Sequence, residues 1–130
     1  MITTPLQAKT AQKILIIEDE GEMCLLLNIL LSNEDFELEH VQNLSAASEY
    51  LANQQPSLII LDNKLPDGYG VDFISFLKSH YPSVKIIMIT GYDPSAEDVA
   101  MENGADIFLE KPFTKQQLAD AIKTLVGKES

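Results

Sequence analysis

The sequence predicts an α/β protein of (βα)5 form: a doubly wound, parallel five-stranded sheet with helices on both faces. Three observations carry this. The segments 13–17, 58–61 and 85–89 are, after the opening Lys13 and Lys85 of the first and last, apolar runs without the polar alternation of a half-exposed strand, as suits strands covered on both sides. Strand-like and helix-like segments alternate five times, the order of a parallel sheet with right-handed crossovers. At 130 residues the chain forms one domain with room for a proper core.

Taken in order, residues 1–12 are mostly small and polar and predict a loose N-terminal tail. The first strand, 13–17, runs into Glu18, Asp19 and Glu20. From 22 to 32, Met23, Leu26, Leu27, Leu30 and Leu31 recur at helical spacing. Residues 36–41 alternate apolar and polar, the pattern of a half-exposed edge strand. Asn43 caps a helix whose inward face is Leu44, Ala47 and Leu51. The central strand, 58–61, ends abruptly in Asp62, and residues 65–68 then break regular structure, with Asp67 as a turn former. A helix over 71–79 turns Val71, Ile74 and Leu77 inward and stops at Tyr81 and Pro82. After strand 85–89 stand Thr90 and Gly91. Asp93 and Pro94 open a helix through about 103, with Gly104 past its end and a weak apolar face of Ala96, Val99 and Ala100. The last strand, 106–109, leads to Glu110, Lys111, Pro112 and Phe113. Thr114 and Gln117 then make a capping box for a helix carrying Leu118, Ala121, Ile122 and Leu125.

Nine basic against twenty acidic residues give a net charge of −11, which argues against a non-specific nucleic-acid or anionic-membrane binder. Cys24 has no second cysteine to pair with and reads as a small buried hydrophobe. No apolar run approaches a membrane span, and the N-terminus lacks a secretory pattern, so the cytoplasm is the expected location. His40 and His80 show no partner spacing and read as surface residues.

A parallel sheet gathers all its carboxyl ends on one edge, so the residues after the strands converge there. They are Glu18 and Asp19, then Asp62, Thr90 and Lys111: three carboxylates, a hydroxyl and an ammonium. Carboxylates so close repel, and a cation offsets them. Oxygen ligands from few protein groups suit Mg²⁺. A carboxylate held beside Mg²⁺ can attack phosphorus to give an aspartyl-phosphate, in a transfer that depends on positioning and charge neutralisation.

This set, in its order and spacing, resembles the CheY-like receiver domain of two-component response regulators over residues 13–126, with 127–130 as a C-terminal tail. The matching pieces are Ile14 to Glu20, Leu61 to Gly68, Ile87 to Gly91 and Lys111 to Phe113. The resemblance implies a flavodoxin-like strand order, 2-1-3-4-5. It implies that Asp62 accepts a phosphoryl group from a histidine kinase, a phosphotransfer protein or a small phosphodonor. Asp19, Asp62 and the backbone carbonyl of Lys64 would bind Mg²⁺, with Glu18 acting through a water. Thr90 and Lys111 would contact the phosphoryl group, Phe108 would be the switch aromatic coupled to Thr90, and the Lys111–Pro112 bond would be cis. Output would pass through the face of the fourth helix, last strand and fifth helix, to a partner or an effector domain. The protein would be a phosphoacceptor rather than an enzyme, and a monomer or a phosphorylation-dependent dimer.

Blander readings stand beside these. Asp19 also suits a helix N-cap, Thr90 an ordinary strand position, and Phe108 plain core. Glu18 occupies a place where many relatives carry Asp, one methylene shorter. Lys64 and Tyr92 should flank the pocket mouth, where they would govern the access of hydrolytic water. Winged-helix regulators carry a Glu and an Arg in the last helix that pair across a dimer; Gln117 and Ala121 stand there, which puts that dimer in doubt. Two other functions compete. A haloacid-dehalogenase-type phosphatase needs a second Asp two residues after its nucleophile, where this chain has Lys64. A pseudo-receiver that only binds a partner usually lacks a pocket residue, and this chain has them all.

Overall fold

The computed structural model describes residues 12–31, 36–91 and 93–126. The expected tails therefore lie outside the described residues, except Gln12, which is a strand residue and opens the sheet one position earlier than expected.

Five strands form one parallel sheet: β1 (Gln12–Ile17), β2 (Phe36–Val41), β3 (Leu58–Asp62), β4 (Lys85–Thr90) and β5 (Ile107–Glu110). Their spatial order, β2-β1-β3-β4-β5, is the expected 2-1-3-4-5. Between and after them run α1 (Gly21–Leu31), α2 (Leu44–Asn53), α3 (Gly70–His80), α4 (Pro94–Asn103) and α5 (Lys115–Val126).

Each strand's side chains alternate between the two faces, and each face has its own core. On one side Leu15, Ile17, Ile59, Leu61, Ile86 and Met88 pack against Ala47 and Leu51 of α2, Ile74 and Leu77 of α3, and Ala100 of α4. On the other, Ile14, Ile16, Leu58, Ile60, Ile87 and Ile89 meet Leu27 and Leu31 of α1 with Leu118, Ala121 and Ile122 of α5. Covering both faces is why β1, β3 and β4 read as unbroken apolar runs. The edge strand β2, paired among the described residues with β1 alone, keeps its half-exposed alternation.

Local chemistry sets most boundaries. Asn43 Oδ1 accepts from the Ala46 N–H at 2.7 Å, and Asp93 Oδ1 from the Ala96 N–H at 3.2 Å. Thr114 and Gln117 satisfy each other's backbone N–H at 3.0 and 2.8 Å, the expected capping box. Gly104 closes α4 at φ 115°, a left-handed conformation that costs a side-chain-bearing residue dearly.

Three further expectations need correction. In α1, Leu26 is 39% exposed and Cys24 takes the inward place beside Leu27 and Leu31. Residues 23–27 are almost uniformly apolar, so spacing alone does not choose the buried face. Leu30's side chain lies outside the described residues. Residues 64–69 are not irregular: Lys64–Leu65 and Gly68–Tyr69 pair as a two-residue antiparallel ladder around Pro66 and Asp67. Finally, β5 begins at Ile107, because Asp106 instead caps the neighbouring backbone, its Oδ2 accepting from the Ile86 N–H at 2.8 Å.

Candidate functional site

The Glu18 N–H donates to the Val41 carbonyl at 3.1 Å, so the chain stays tied to the sheet one residue beyond β1. This seats the Glu18 side chain fully buried (0% exposed) while the next residue, Asp19, is solvent-exposed. Asp62 is the last residue of β3, opposite Ile89 of β4, and is 5% exposed. Carboxylate oxygens of Glu18, Asp19 and Asp62 all lie within 4.8 Å of one another.

Lys111 enters from the far side of the sheet. Its N–H donates to the Thr90 carbonyl at 2.7 Å, and its peptide bond to Pro112 is cis. Its ammonium Nζ lies 3.3 Å from Asp62 Oδ1, 3.5 Å from Glu18 Oε1 and 3.6 Å from Glu20 Oε1. Thr90 ends β4 and is 7% exposed.

The electrostatics follow from burial. Burial pushes the Glu18 carboxyl from 4.5 to about 7; the Glu20 N–H, donating to Glu18 Oε2 at 3.0 Å, works against this, while the charge of Asp62 adds to it. Glu18 Oε1 is buried with no hydrogen-bond partner, although the Lys111 ammonium is within ion-pair range. Burial also raises the Asp62 carboxyl, against the pull of Lys111. Lys111 is held above its usual range: burial opposes its charge, but Asp62 and Glu18 outweigh it.

Three carboxylates thus share one ammonium, with one buried carboxylate oxygen unsatisfied. The surplus negative charge and the all-oxygen donor set fit a hard divalent cation.

The loop after Asp62 is held by residues that sequence reasoning passed over. Asn63 is 5% exposed and anchors the start of α3: its backbone carbonyl accepts from the Gly70 N–H at 2.7 Å, and its Oδ1 from the Val71 N–H at 3.1 Å. Asp67 is more than a turn former. Its Oδ1 and Oδ2 accept from the N–H groups of Leu44 and Ser45 at 2.9 and 3.0 Å, tying the loop to the first turn of α2, and those bonds lower its carboxyl's pKa. Nothing local announces either role, because each partner lies 7 to 23 residues away. At Gly70 a Cβ would run into the Asp62 carbonyl oxygen and meet the Leu61 side chain at 3.0 Å. Only glycine lets α3 start so close to Asp62.

Lys64 is exposed on the small ladder, and Phe108 is half-buried, packed on the core of α2, α3 and α4. Tyr92 lies outside the described residues. Asp19 does not cap α1; the helix starts at Gly21, after Glu20. Cys24 is buried as expected. His40, though exposed, is not without partners: its Nε2 contacts the Cys24 thiol and the Glu18 carbonyl. His80 is exposed and stacks on Phe76.

Residues 14–123 match the family model of the response regulator receiver domain. The chain belongs to that family. Curated relatives of this receiver include the response regulator protein PilR of Pseudomonas aeruginosa, 32% identical over 87% of this chain and 26% of that protein. The phosphate regulon transcriptional regulatory protein PhoB of Escherichia coli is 31% identical over 92% of this chain and 54% of its own length. The receiver therefore spans about a quarter to a half of these regulators. Among solved structures, a CheY-like receiver domain protein from Methanospirillum hungatei superposes with a TM-score of 0.83 at 27% identity, covering 88% of this chain and 93% of that one. A response regulator from Chloroflexus aurantiacus, at 24% identity and a TM-score of 0.86, shows the same fold over 92% of this receiver and all of that chain. Among the described residues no helix is long and apolar enough to cross a membrane.

Proposed function

We propose that this receiver is a phosphorylation switch whose phosphoacceptor is Asp62. The observation that carries it is the ion pair of Lys111 Nζ with Asp62 Oδ1 at 3.3 Å, inside a cluster of three carboxylates. Asp19, Asp62 and the Lys64 carbonyl would hold Mg²⁺, with Glu18 acting through a water. When bound, the ion neutralises charge on the transferring phosphoryl group. An Asp62 carboxylate oxygen bonds to phosphorus as the donor's bond to phosphorus breaks, the donor being a kinase phosphohistidine, a phosphotransfer protein or a small acyl phosphate. Lys111 follows the new phosphoryl oxygens and the Thr90 hydroxyl donates to one of them. Water later attacks phosphorus, the bond from the Asp62 oxygen to phosphorus breaks, and inorganic phosphate leaves with the carboxylate restored.

The receiver is consumed and regenerated rather than acting as an enzyme on a separate substrate. The phosphoryl group adds about −1.5 to −2 charge at the sheet edge. Drawing Thr90 toward it would let Phe108 turn inward and reshape the face of α4, β5 and α5, where Val99 and Met101 are 38% and 43% exposed. That face would meet the output partner or effector domain in the cytoplasm. Lys64, and Tyr92 by its place in the sequence, would set the lifetime of the phosphoryl group.

Intact-mass measurement after incubation with acetyl phosphate tests the reading. One phosphoryl adduct that requires Mg²⁺ and is absent from Asp62→Asn supports it. An adduct persisting in Asp62→Asn, or none under any condition, sinks it and leaves a binding module with a receiver's fold.

A further inference from the structure

We infer that Glu20 is a positioning residue for Lys111, an internal competitor that holds the ammonium until a phosphoryl group claims it. The inference rests on the phosphoacceptor reading above. Lys111 Nζ has three carboxylate partners at similar range: Asp62 at 3.3 Å, Glu18 at 3.5 Å and Glu20 at 3.6 Å. The first two belong to buried walls of the pocket, whereas the Glu20 side chain is 64% exposed on its rim.

Its backbone is fixed at both polar groups. The N–H donates to Glu18 Oε2 at 3.0 Å, and the carbonyl accepts from the Cys24 N–H at 3.0 Å. The carboxylate is therefore presented to Lys111 from an anchored main chain, and only its own torsions let it leave. In the unmodified protein a third carboxylate on Lys111 draws the ammonium toward the rim. When about −1.5 to −2 charge appears on Asp62, Lys111 must serve the phosphoryl oxygens, and Glu20 becomes both a rival for the ammonium and a repelling neighbour. Glu20 thereby weakens the hold on the phosphoryl group without touching it.

The test is the affinity for beryllofluoride, a non-reactive phosphoryl mimic, at saturating Mg²⁺, measured by calorimetry on the full chain. Glu20→Gln should bind about two- to fivefold tighter at low salt, the range set by exposed ion pairs. Glu20→Asp, which keeps the charge but withdraws it by one methylene, should give most of that gain. Glu22→Gln, an equal charge change on the first turn of α1, should give none. The gain should vanish near 1 M NaCl, where screening falls to about 3 Å, whereas a folding change would persist.

Unchanged affinity in Glu20→Gln, an equal gain in Glu22→Gln, or a gain indifferent to salt overturns the inference while wild-type binding leaves the phosphoacceptor reading standing. Failure of the wild type itself to bind beryllofluoride removes that reading, and the role of Glu20 with it.

Discussion

Replacing Glu18 by Gln should stabilise the metal-free protein by an amount that grows as pH rises from about 4.5 to about 7 and then holds. Glu18 is fully buried, and its carboxyl is raised from 4.5 to about 7. A carboxyl whose folded pKa exceeds its unfolded one binds more protons folded than unfolded. Its contribution is therefore most favourable below about 4.5, declines as pH rises toward about 7, and is flat above that. Two and a half pKa units at 1.36 kcal/mol each give about 3 kcal/mol over the full window, and roughly 2–3 kcal/mol between pH 5 and 8.5. Gln keeps the shape and does not titrate. Urea unfolding in EDTA, followed by far-UV circular dichroism, should show the two proteins close at pH 5 and the variant ahead by roughly 2–3 kcal/mol at pH 8.5. Saturating Mg²⁺ should narrow or reverse the gap, since the cation favours the ionised wild-type pocket. A gap of constant size across this range, or one that widens toward acid, would refute the reasoning. The carboxylate would then be solvated or offset in some way its burial does not suggest.

Other perturbations probe the supports of the pocket. Gly70→Ala places a methyl group against the Asp62 carbonyl; urea midpoints should report a loss of about 1–3 kcal/mol, and Mg²⁺-dependent phosphorylation should slow as well. Asp67→Ala removes both acceptors from the first turn of α2, so hydrogen exchange at Leu44 and Ser45 should quicken while the β3 amides stay protected. Unchanged exchange at Leu44 would mean that the link is not formed in solution. Leu27→Ala, at a fully buried site, should cost about 2–5 kcal/mol, and Leu25→Ser, 60% exposed on the same helix, within about 0.5 kcal/mol of nothing. Comparable losses would mean that the buried face of α1 is misassigned.

Sequence reached the architecture because the doubly covered sheet imprints itself on the strands. Residues 58–61 cannot be apolar without a break and also face water on one side. The helix ends at Asn43, Asp93 and Thr114 were legible for a different reason: a cap and the N–H it serves are three residues apart. The convergence of Glu18, Asp19, Asp62 and Lys111 was readable from strand order alone, since a parallel sheet sends every strand end to one edge. Contacts made across the fold were not readable. Asp67 reaches α2 over 22 and 23 residues, and Glu20 meets Lys111 from the opposite end of the chain. Neither spacing repeats, so no local pattern betrays it. The face of α1 was lost differently, to an excess of signal: with Met23 to Leu27 nearly all apolar, the sheet beneath the helix, not the spacing, decides which side is dry.

The edge strand β2 carries a consequence for the behaviour of many copies together. Among the described residues no strand pairs with its outer rim, and such a ladder of backbone donors and acceptors is the kind of surface on which another copy could extend the sheet. Glu37 and Glu39 are exposed along it, two residues apart and on one face. Stacking a second molecule there in register would set like charges side by side, a barrier to association. At neutral pH the net charge of −11 should keep copies apart in concentrated solution. Acidification toward the isoelectric point, near 4.4, removes the net repulsion between copies, so aggregation through an edge such as β2 should be favoured there.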